Sequence, residues 1–214
     1  MKKITDGIRK DYNLERLYEH NINSNPFQQF SIWFKEALSA KLPEPNAMTI
    51  ATSTSDGKPS ARIVLLKNFD ERGFVFYTNY LSRKGLELTN NPQTELVFWW
   101  ADLERQVRIY GRVKQVSDEE SDEYFYSRPL NSRLGAWASE QSQVIASREI
   151  LEQKFQELQI KYTNQKIPRP THWGGFLVVP QEFEFWQGRT SRLHDRLRYN
   201  LLRNEIWQIE RLSP

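Results

Sequence analysis

The stretch 104–116, ERQVRIYGRVKQV, decides how this chain is read. Val107, Ile109, Gly111 and Val113 alternate with Gln106, Arg108, Tyr110 and Arg112. A period of two is the signature of a strand with one face in a core and the other free to hydrogen-bond. Just before it, ELVFWWA (95–101) is a second β-branched and aromatic run, and only Asp-Leu-Glu (102–104) separates it from Arg105. A link that short joins neighbouring antiparallel strands.

Working outward, AMTIATS (47–53), ARIVLLKNF (61–69) and GFVFYTN (73–79) are strand-like, divided by the turn-forming SDGKP, DERG and NNPQ. Five strands with hairpin-length links predict an antiparallel sheet or barrel. Between the third and fourth lies YLSRKGLELTNNP (80–92), a short helix with Ser82 as N-cap. On the N-terminal side, PFQQFSIWFKEALSAKL (26–42) sets Phe27, Phe30, Trp33, Phe34, Ala37 and Leu38 at helical spacing, with Asn25 as cap and Pro43 as stop. Residues 1–26 read as a polar arm before a single domain over 27–214.

Beyond the sheet, SDEESDEYFYSRP (117–129) opens with a Ser117/Glu120 capping box and ends at Pro129. A second helix near 147–164 has Leu151, Phe155, Leu158 and Tyr162 on one face, and GGFLVVP, FEFWQG, SRLHDRLRY and IWQIERL return to strands. The expected class is mainly β with α (α+β), an aromatic-rich barrel interrupted by a few helices.

Composition narrows the chemistry. A chain of 214 residues, 38% hydrophobic, 27% charged and 13% aromatic, builds one domain with a sizeable core. A net charge of +3 is too mild for bulk nucleic-acid binding, so no nucleic-acid partner is expected. With no Cys there is no disulfide, thiol nucleophile or Cys-bound metal, and His20, His172 and His194 are not at metal-ligand spacing. The start MKKITDGIRKDYN lacks the apolar core of a secretory signal, and runs such as IVLL and FLVV are strand-sized, so a cytoplasmic protein without a membrane partner is expected.

Several clusters call for an anion. If Arg192–Tyr199 is extended, Arg192, His194, Arg196 and Arg198 share one face, where like charges repel unless something negative lies between them. Ser82-Arg83-Lys84 places two cations on the first turn of a helix, which suits a bound phosphate, although a solvated basic turn has the same letters. Arg62 and Lys67 would face opposite sides of a regular strand, so only a bulge or bend lets both reach one ligand. Gln106 offers an amide to a heterocycle edge, or simply belongs to an amphipathic strand. Tyr124 and Arg128, four apart on a helix, with Ser132 beyond, could converge on a second phosphate or be surface packing. Gln141 and Ser142 suit loop contacts, and Trp186 suits a planar ring or the core. No catalytic triad, paired carboxylates, P-loop or Gly-x-Gly-x-x-Gly is present, which leaves the chemistry to a bound cofactor.

The motifs RIVLLK, FYTNYLSRKG, ERQVRIYG, YFYSRPLNSRLGAWASEQS, WGGF, EFWQG and RLHDR occur in this order. From about residue 9 to the C-terminus the chain closely resembles the pyridoxine/pyridoxamine 5′-phosphate oxidase family. The resemblance implies an FMN-binding split β-barrel with peripheral helices, a homodimer with FMN at the subunit interface. It implies oxidation of pyridoxine 5′-phosphate or pyridoxamine 5′-phosphate to pyridoxal 5′-phosphate, a hydride passing from C4′ to flavin N5 and dioxygen becoming hydrogen peroxide. Carried over by motif, FMN contacts Arg62, Ile63, Val64, Leu65, Leu66, Lys67, Tyr77, Thr78, Arg83, Lys84, Gln106, Gln141, Ser142, Trp186 and Arg196. Substrate is met by Lys67, Tyr124, Arg128 and Ser132 at its phosphate and by Arg192, Leu193 and His194 at its ring, with Arg192 and His194 catalytic. Arg9, Lys10, Asp11 and Tyr12 belong to the arm that closes over substrate, Arg198 faces solvent, and no metal is implied. The alternatives are a split-barrel flavin- or haem-binding protein without this activity, and a basic, aromatic nucleic-acid-binding barrel.

Overall fold

The computed structural model describes residues 11–214, so the expected arm residues Arg9 and Lys10 lie outside the described residues. Among the described residues nine strands form one sheet: β1 (Ala47–Ser53), β2 (Pro59–Leu65), β3 (Asn68–Asp70), β4 (Gly73–Asn79), β5 (Gln93–Trp100), β6 (Arg105–Gln115), β7 (Trp173–Gln187), β8 (Asp195–Leu201) and β9 (Trp207–Arg211). Their hydrogen-bonded order is β2-β1-β5-β6-β7-β4-β3, with β8 on β7 and β9 on β8. Five helices accompany them: α1 (Pro26–Ser39), α2 (Arg83–Asn90), α3 (Asp118–Ser127), α4 (Leu130–Ala138) and α5 (Arg148–Lys161). This is the mainly β, α+β class that the strand pattern predicts. No helix among the described residues is long and apolar enough to cross a membrane. The chain divides into two compact units, one of Met1–Thr49, Glu95–Tyr110 and Pro180–Pro214, the other of Ile50–Thr94 and Gly111–Val179.

In the first unit α1 begins where Asn25 accepts hydrogen bonds from the Phe27 and Gln28 amides, with Pro26 at the first helical position. It buries Phe30, Trp33 and Ala37. Phe30 packs on Phe98 and Trp100, and Trp33 meets the edge of Phe185. Burying a Phe of this kind contributes about 1.5–3 kcal/mol. The helix stops before the expected Pro43. Lys41 takes a positive φ of 54°, and the amides of Lys41 and Leu42 close back on the Leu38 and Ala37 carbonyls, a Schellman end built by a lysine.

The SRLHDRLRY reading needs correction. Residues Thr190–Arg192 form a 3-10 turn, Ser191 and Arg192 both have positive φ (57° and 60°), and the strand starts only at Asp195. Arg192 is therefore not in one extended column with Arg196 and Arg198. Nor do the strand cations wait for an outside anion: β7 lies antiparallel to β8 with Glu184 opposite Arg198, and Arg198 lies opposite Glu210 on β9. Cross-strand carboxylates neutralise the column, and Arg198, expected towards solvent, donates to Glu210 at 2.6 Å.

In the second unit the expected ARIVLLKNF strand breaks into β2 and β3 around Leu66 and Lys67, and β3 pairs with β4 through Asn68–Val75 and Asp70–Gly73. Ser117 caps α3, accepting from the Glu120 amide. The helix predicted near 147–164 is α5, whose Phe155 and Leu158, with Tyr162 just beyond its end, pack on the buried cluster Phe125, Leu134, Ile167 and Trp173. Helix α4 has no counterpart in the sequence reading. Pro129 ends α3, but it also stands at the N-terminal cap of α4, where a residue without an amide hydrogen costs little.

Candidate functional site

The site is best built from the start of α2. Ser82 caps the helix by accepting from the Gly85 amide at 3.3 Å. Gly85 is required there, because a Cβ would stand 2.2 Å from the Tyr80 carbonyl oxygen. The first turn of α3 carries Asp118, Glu119 and Glu120, which suit a helix N-terminus, whereas the first turn of α2 carries Arg83 and Lys84. Lys84 is 8% exposed. Its Nζ donates to Thr78 Oγ1 at 2.8 Å, Gln141 Oε1 at 3.1 Å and Ser82 Oγ at 3.2 Å, all neutral acceptors. Burial, assisted by the Arg62 charge, lowers its pKa to about 8.

Glu87, one turn along α2, organises the neighbouring arginines. Arg83 Nε donates to it at 2.9 Å and Arg62 Nη2 lies 3.5 Å away, while Ser60 and Thr52 hydroxyls donate to it at 2.5 Å. Burial alone would raise this carboxyl, but the hydrogen bonds from Ser60, Thr52 and Arg83 hold it at about 2. Glu87 was not singled out from the sequence, although its i,i+4 spacing from Arg83 was a readable signal.

Arg62, Thr78, Arg83, Lys84 and Gln141 border a cavity of about 900 Å³. Its wall contains Arg62, Lys67, Arg83, Lys84 and Arg128 and, among the described residues, no carboxylate. The break between β2 and β3 is the bend that Arg62 and Lys67 needed, since both now reach the wall. Ile63, Val64 and Leu65 line it as well, whereas Leu66 is buried and does not. Tyr77, Thr78, Tyr124, Ser132, Gln141 and Ser142 also share this wall. Tyr77 stacks on Tyr124 with centroids 3.9 Å apart, and burial, with Glu120 near, pushes its phenol up to about 12, so it stays protonated. Arg128 Nη1 is buried without a hydrogen-bond partner. Trp173 and Ser139 line the cavity too; sequence reasoning missed both, and only WGGF pointed at Trp173.

The remaining expected residues lie in the other unit. Trp186 on β7 packs 4.6 Å from the His194 ring, and Tyr12 meets both rings edge-on at 5.8 and 5.9 Å. The Arg189 amide donates to His194 Nδ1 at 3.1 Å, so the ring proton sits on Nε2. Burial and the Arg192 charge lower the His194 pKa, favouring the neutral ring. Arg196, expected at the cofactor, has Nε and Nη2 on Glu184 at 2.8 and 3.0 Å and Nη1 on the Ser213 carbonyl. Gln106 is half-buried on β6, Leu193 is exposed, and Asp11 precedes Tyr12 at the start of the described chain. Just after them, Glu104 accepts from the Asn13 and Leu14 amides and Asp195 from the Leu17 amide.

Comparison with known proteins bears on this arrangement. A family model described as pyridoxamine 5′-phosphate oxidase matches residues 34–162, and one described as pyridoxine 5′-phosphate oxidase C-terminal dimerisation region matches 173–214. The chain is 68% identical over 214 residues, the full length of both, to a pyridoxine/pyridoxamine 5′-phosphate oxidase of Trichormus variabilis. It is 56% identical, again over the full length of both, to one of Cupriavidus necator. Among solved structures, PhzG from Burkholderia lata in complex with tetrahydrophenazine-1-carboxylic acid superposes with a TM-score of 0.88 at 32% identity, covering 94% of this chain and 99% of that one. A pyridoxamine 5′-phosphate oxidase-related, FMN-binding protein of Nostoc punctiforme superposes with a TM-score of 0.70 over 90% of this chain and 100% of that one. At 16% identity the last likeness shows the split-barrel fold alone.

Proposed function

The chain belongs to the pyridoxamine 5′-phosphate oxidase family, and from that premise we propose that it oxidises pyridoxine or pyridoxamine 5′-phosphate to pyridoxal 5′-phosphate with FMN as cofactor. The observation that carries this reading is a cavity whose lining, among the described residues, contains Arg62, Lys67, Arg83, Lys84 and Arg128 and no carboxylate, Glu87 outside the lining pairing with Arg83 and Arg62 alone of these five. A buried ammonium held only by neutral acceptors and a buried guanidinium N–H with no acceptor both favour phosphate oxygens.

Lys84, Arg83 and Arg62 hold the FMN phosphate, with Thr78, Gln141 and Ser142 at its side. Lys67, Tyr124, Arg128 and Ser132 hold the vitamin phosphate. Two grips on two phosphates fix where the rings meet, which is catalysis by positioning. Held there, FMN would supply the hydride acceptor and the chemistry by which dioxygen is reduced to hydrogen peroxide. Arg192 orients the substrate ring, and His194, neutral with its proton on Nε2, donates a hydrogen bond there rather than taking a proton. Trp186 and Gln106 serve the flavin, and Arg196 does so from its Glu184 pair. Asp11 and Tyr12 belong to the arm over substrate. The working unit is a homodimer, a reading supported by the match of residues 173–214 to a dimerisation region, and its proposed place is the cytoplasm.

The test is direct. Purified protein should be yellow, prefer FMN to riboflavin, and form one hydrogen peroxide per pyridoxal 5′-phosphate from either substrate. Equal affinity for riboflavin and FMN, or no turnover of the FMN-loaded protein, would sink the proposal.

A further inference from the structure

Arg128 stands at the C-terminal cap of α3 with extended backbone (φ −74°, ψ 148°), so its side chain leaves the helix just before Pro129. Its Cζ lies 4.6 Å from the centroid of the Trp173 ring and 5.9 Å from that of Phe125. No carboxylate among the described residues is in ion-pair reach of it, and Nη1 is buried without a partner. We propose that Trp173 is a positioning residue for phosphate recognition, its indole face aiming the Arg128 guanidinium into the cavity without neutralising it. The inference rests on the function proposed above, in which Arg128 grips the substrate phosphate.

The physical case is one of competition. A carboxylate would fix the guanidinium equally well, but it would occupy the planar N–H fork that a phosphate must use. An aromatic face attracts the cation from above the plane and leaves every in-plane N–H free. Arg105 provides the internal contrast. It too lies over an indole, 4.4 Å from the Trp33 centroid, but its Nη1 donates to Glu36 and its Nε to Gln187. One arginine has the face and a carboxylate of its own chain; the other has the face and a buried Nη1 without a partner.

Trp173 is itself held firmly enough to aim another residue. It is 7% exposed, and its ring lies within 13° of parallel to Tyr77 and 8° to Tyr124, with Phe125 edge-on. Its carbonyl accepts from Arg169 Nη1 at 2.8 Å, and Arg169 also binds Asp118 and Asp122 of α3. The start of β7 and the helix that ends in Arg128 are thereby tied together.

The experiment compares Trp173→Leu and Trp173→Phe in FMN-loaded enzyme, each with Arg128 present and with Arg128→Ala. Trp173→Leu should raise KM for pyridoxine 5′-phosphate by about 5- to 30-fold, the scale of a desolvated cation–π contact, with kcat within about twofold and FMN affinity unchanged. Trp173→Phe, which keeps an aromatic face, should recover most of the loss. In the Arg128→Ala background neither substitution should move KM further. A Trp173 effect that adds in full to Arg128→Ala, or that falls on kcat, would overturn the inference. If Trp173→Leu does not fold, Trp173→Phe in the two backgrounds decides, with a KM rise of about two- to fourfold expected only when Arg128 is present. If the unaltered protein turns over neither substrate, the functional reading fails by itself. Inorganic phosphate binding by calorimetry then decides: loss of affinity in Trp173→Phe only with Arg128 present supports the aiming role, and no such dependence refutes it.

Discussion

Arg196 and Arg198 on β8 and Lys84 and Arg128 around the cavity are all partly or largely withdrawn from water, yet their surroundings are opposite. Glu184, 4% exposed, takes Arg196 at 2.8 Å and Arg108 at 3.3 Å, and Glu210 takes Arg198 at 2.6 Å. Lys84 has three neutral acceptors, and Arg128 has an indole face and an open N–H. A cation satisfied by its own chain contributes to stability. A buried cation left without an anion costs stability and is kept for an anion from outside. Cation count therefore says little about where a phosphate binds, and the partner of each cation says much.

The sharpest way to break this comparison is Lys84→Met. FMN affinity should fall by about 1.5–3 kcal/mol, a lost charge-assisted hydrogen bond, while the FMN-free protein melts at the same or a higher temperature because an unpaired buried ammonium is gone. Flavin-fluorescence titration and calorimetry together would show it; a destabilised protein with undiminished FMN affinity would reverse the roles assigned here.

Glu184→Gln should do the opposite, lowering unfolding stability by about 2 kcal/mol in a urea titration. That is less than for a fully buried pair, since Arg196 and Arg108 side chains retain 26% and 41% exposure.

The pH dependence sharpens the comparison further. Lys84 in the folded, FMN-free protein titrates at about 8 against an ordinary 10.5. Between those values the unfolded chain binds the proton that the folded chain has lost, so this group's contribution to FMN-free stability rises with pH through that window. Bound phosphate favours the charged form. FMN affinity should accordingly weaken as pH rises past 8, by roughly tenfold between pH 7 and 9, and a Lys84→Met protein should lack that slope.

The smallest effect belongs to Arg198→Ala. Its pair with Glu210 is about one-third exposed on both sides, so a loss of about 0.5 kcal/mol and no change in FMN affinity are expected. A large FMN defect there would place β8 cations among the ligand contacts.

Much of the local architecture was legible because local rules govern it. Asn25, Ser82 and Ser117 cap helices because a side-chain oxygen beside free amides satisfies them wherever the helix packs. Strand alternation located β6, β-branched and aromatic runs between turn residues located β1, β4 and β5, and the opposed facing of Arg62 and Lys67 even stated the condition, a bend, that the β2–β3 break meets. Other features were hidden. Lys41, Ser191 and Arg192 adopt positive φ without glycine, so no letter announces those turns. Helix α4 was lost because Pro129 was read only as an end.

By itself the sequence determined the kinds of element, their order, and the clusters of cations and aromatics that mark a family of phosphate-handling flavoproteins. Only the tertiary structure decided which cations are already answered. Lys84 meets Gln141 57 residues away, Arg62 meets Glu87 25 away, and Arg108 meets Glu184 76 away. The sign and distance of such partners are set by how strands register and helices dock, and no local spacing encodes them. That is why an expected column of free arginines on β8 proved to be paired, while the unanswered charge lay in the cavity beside α2 and α3.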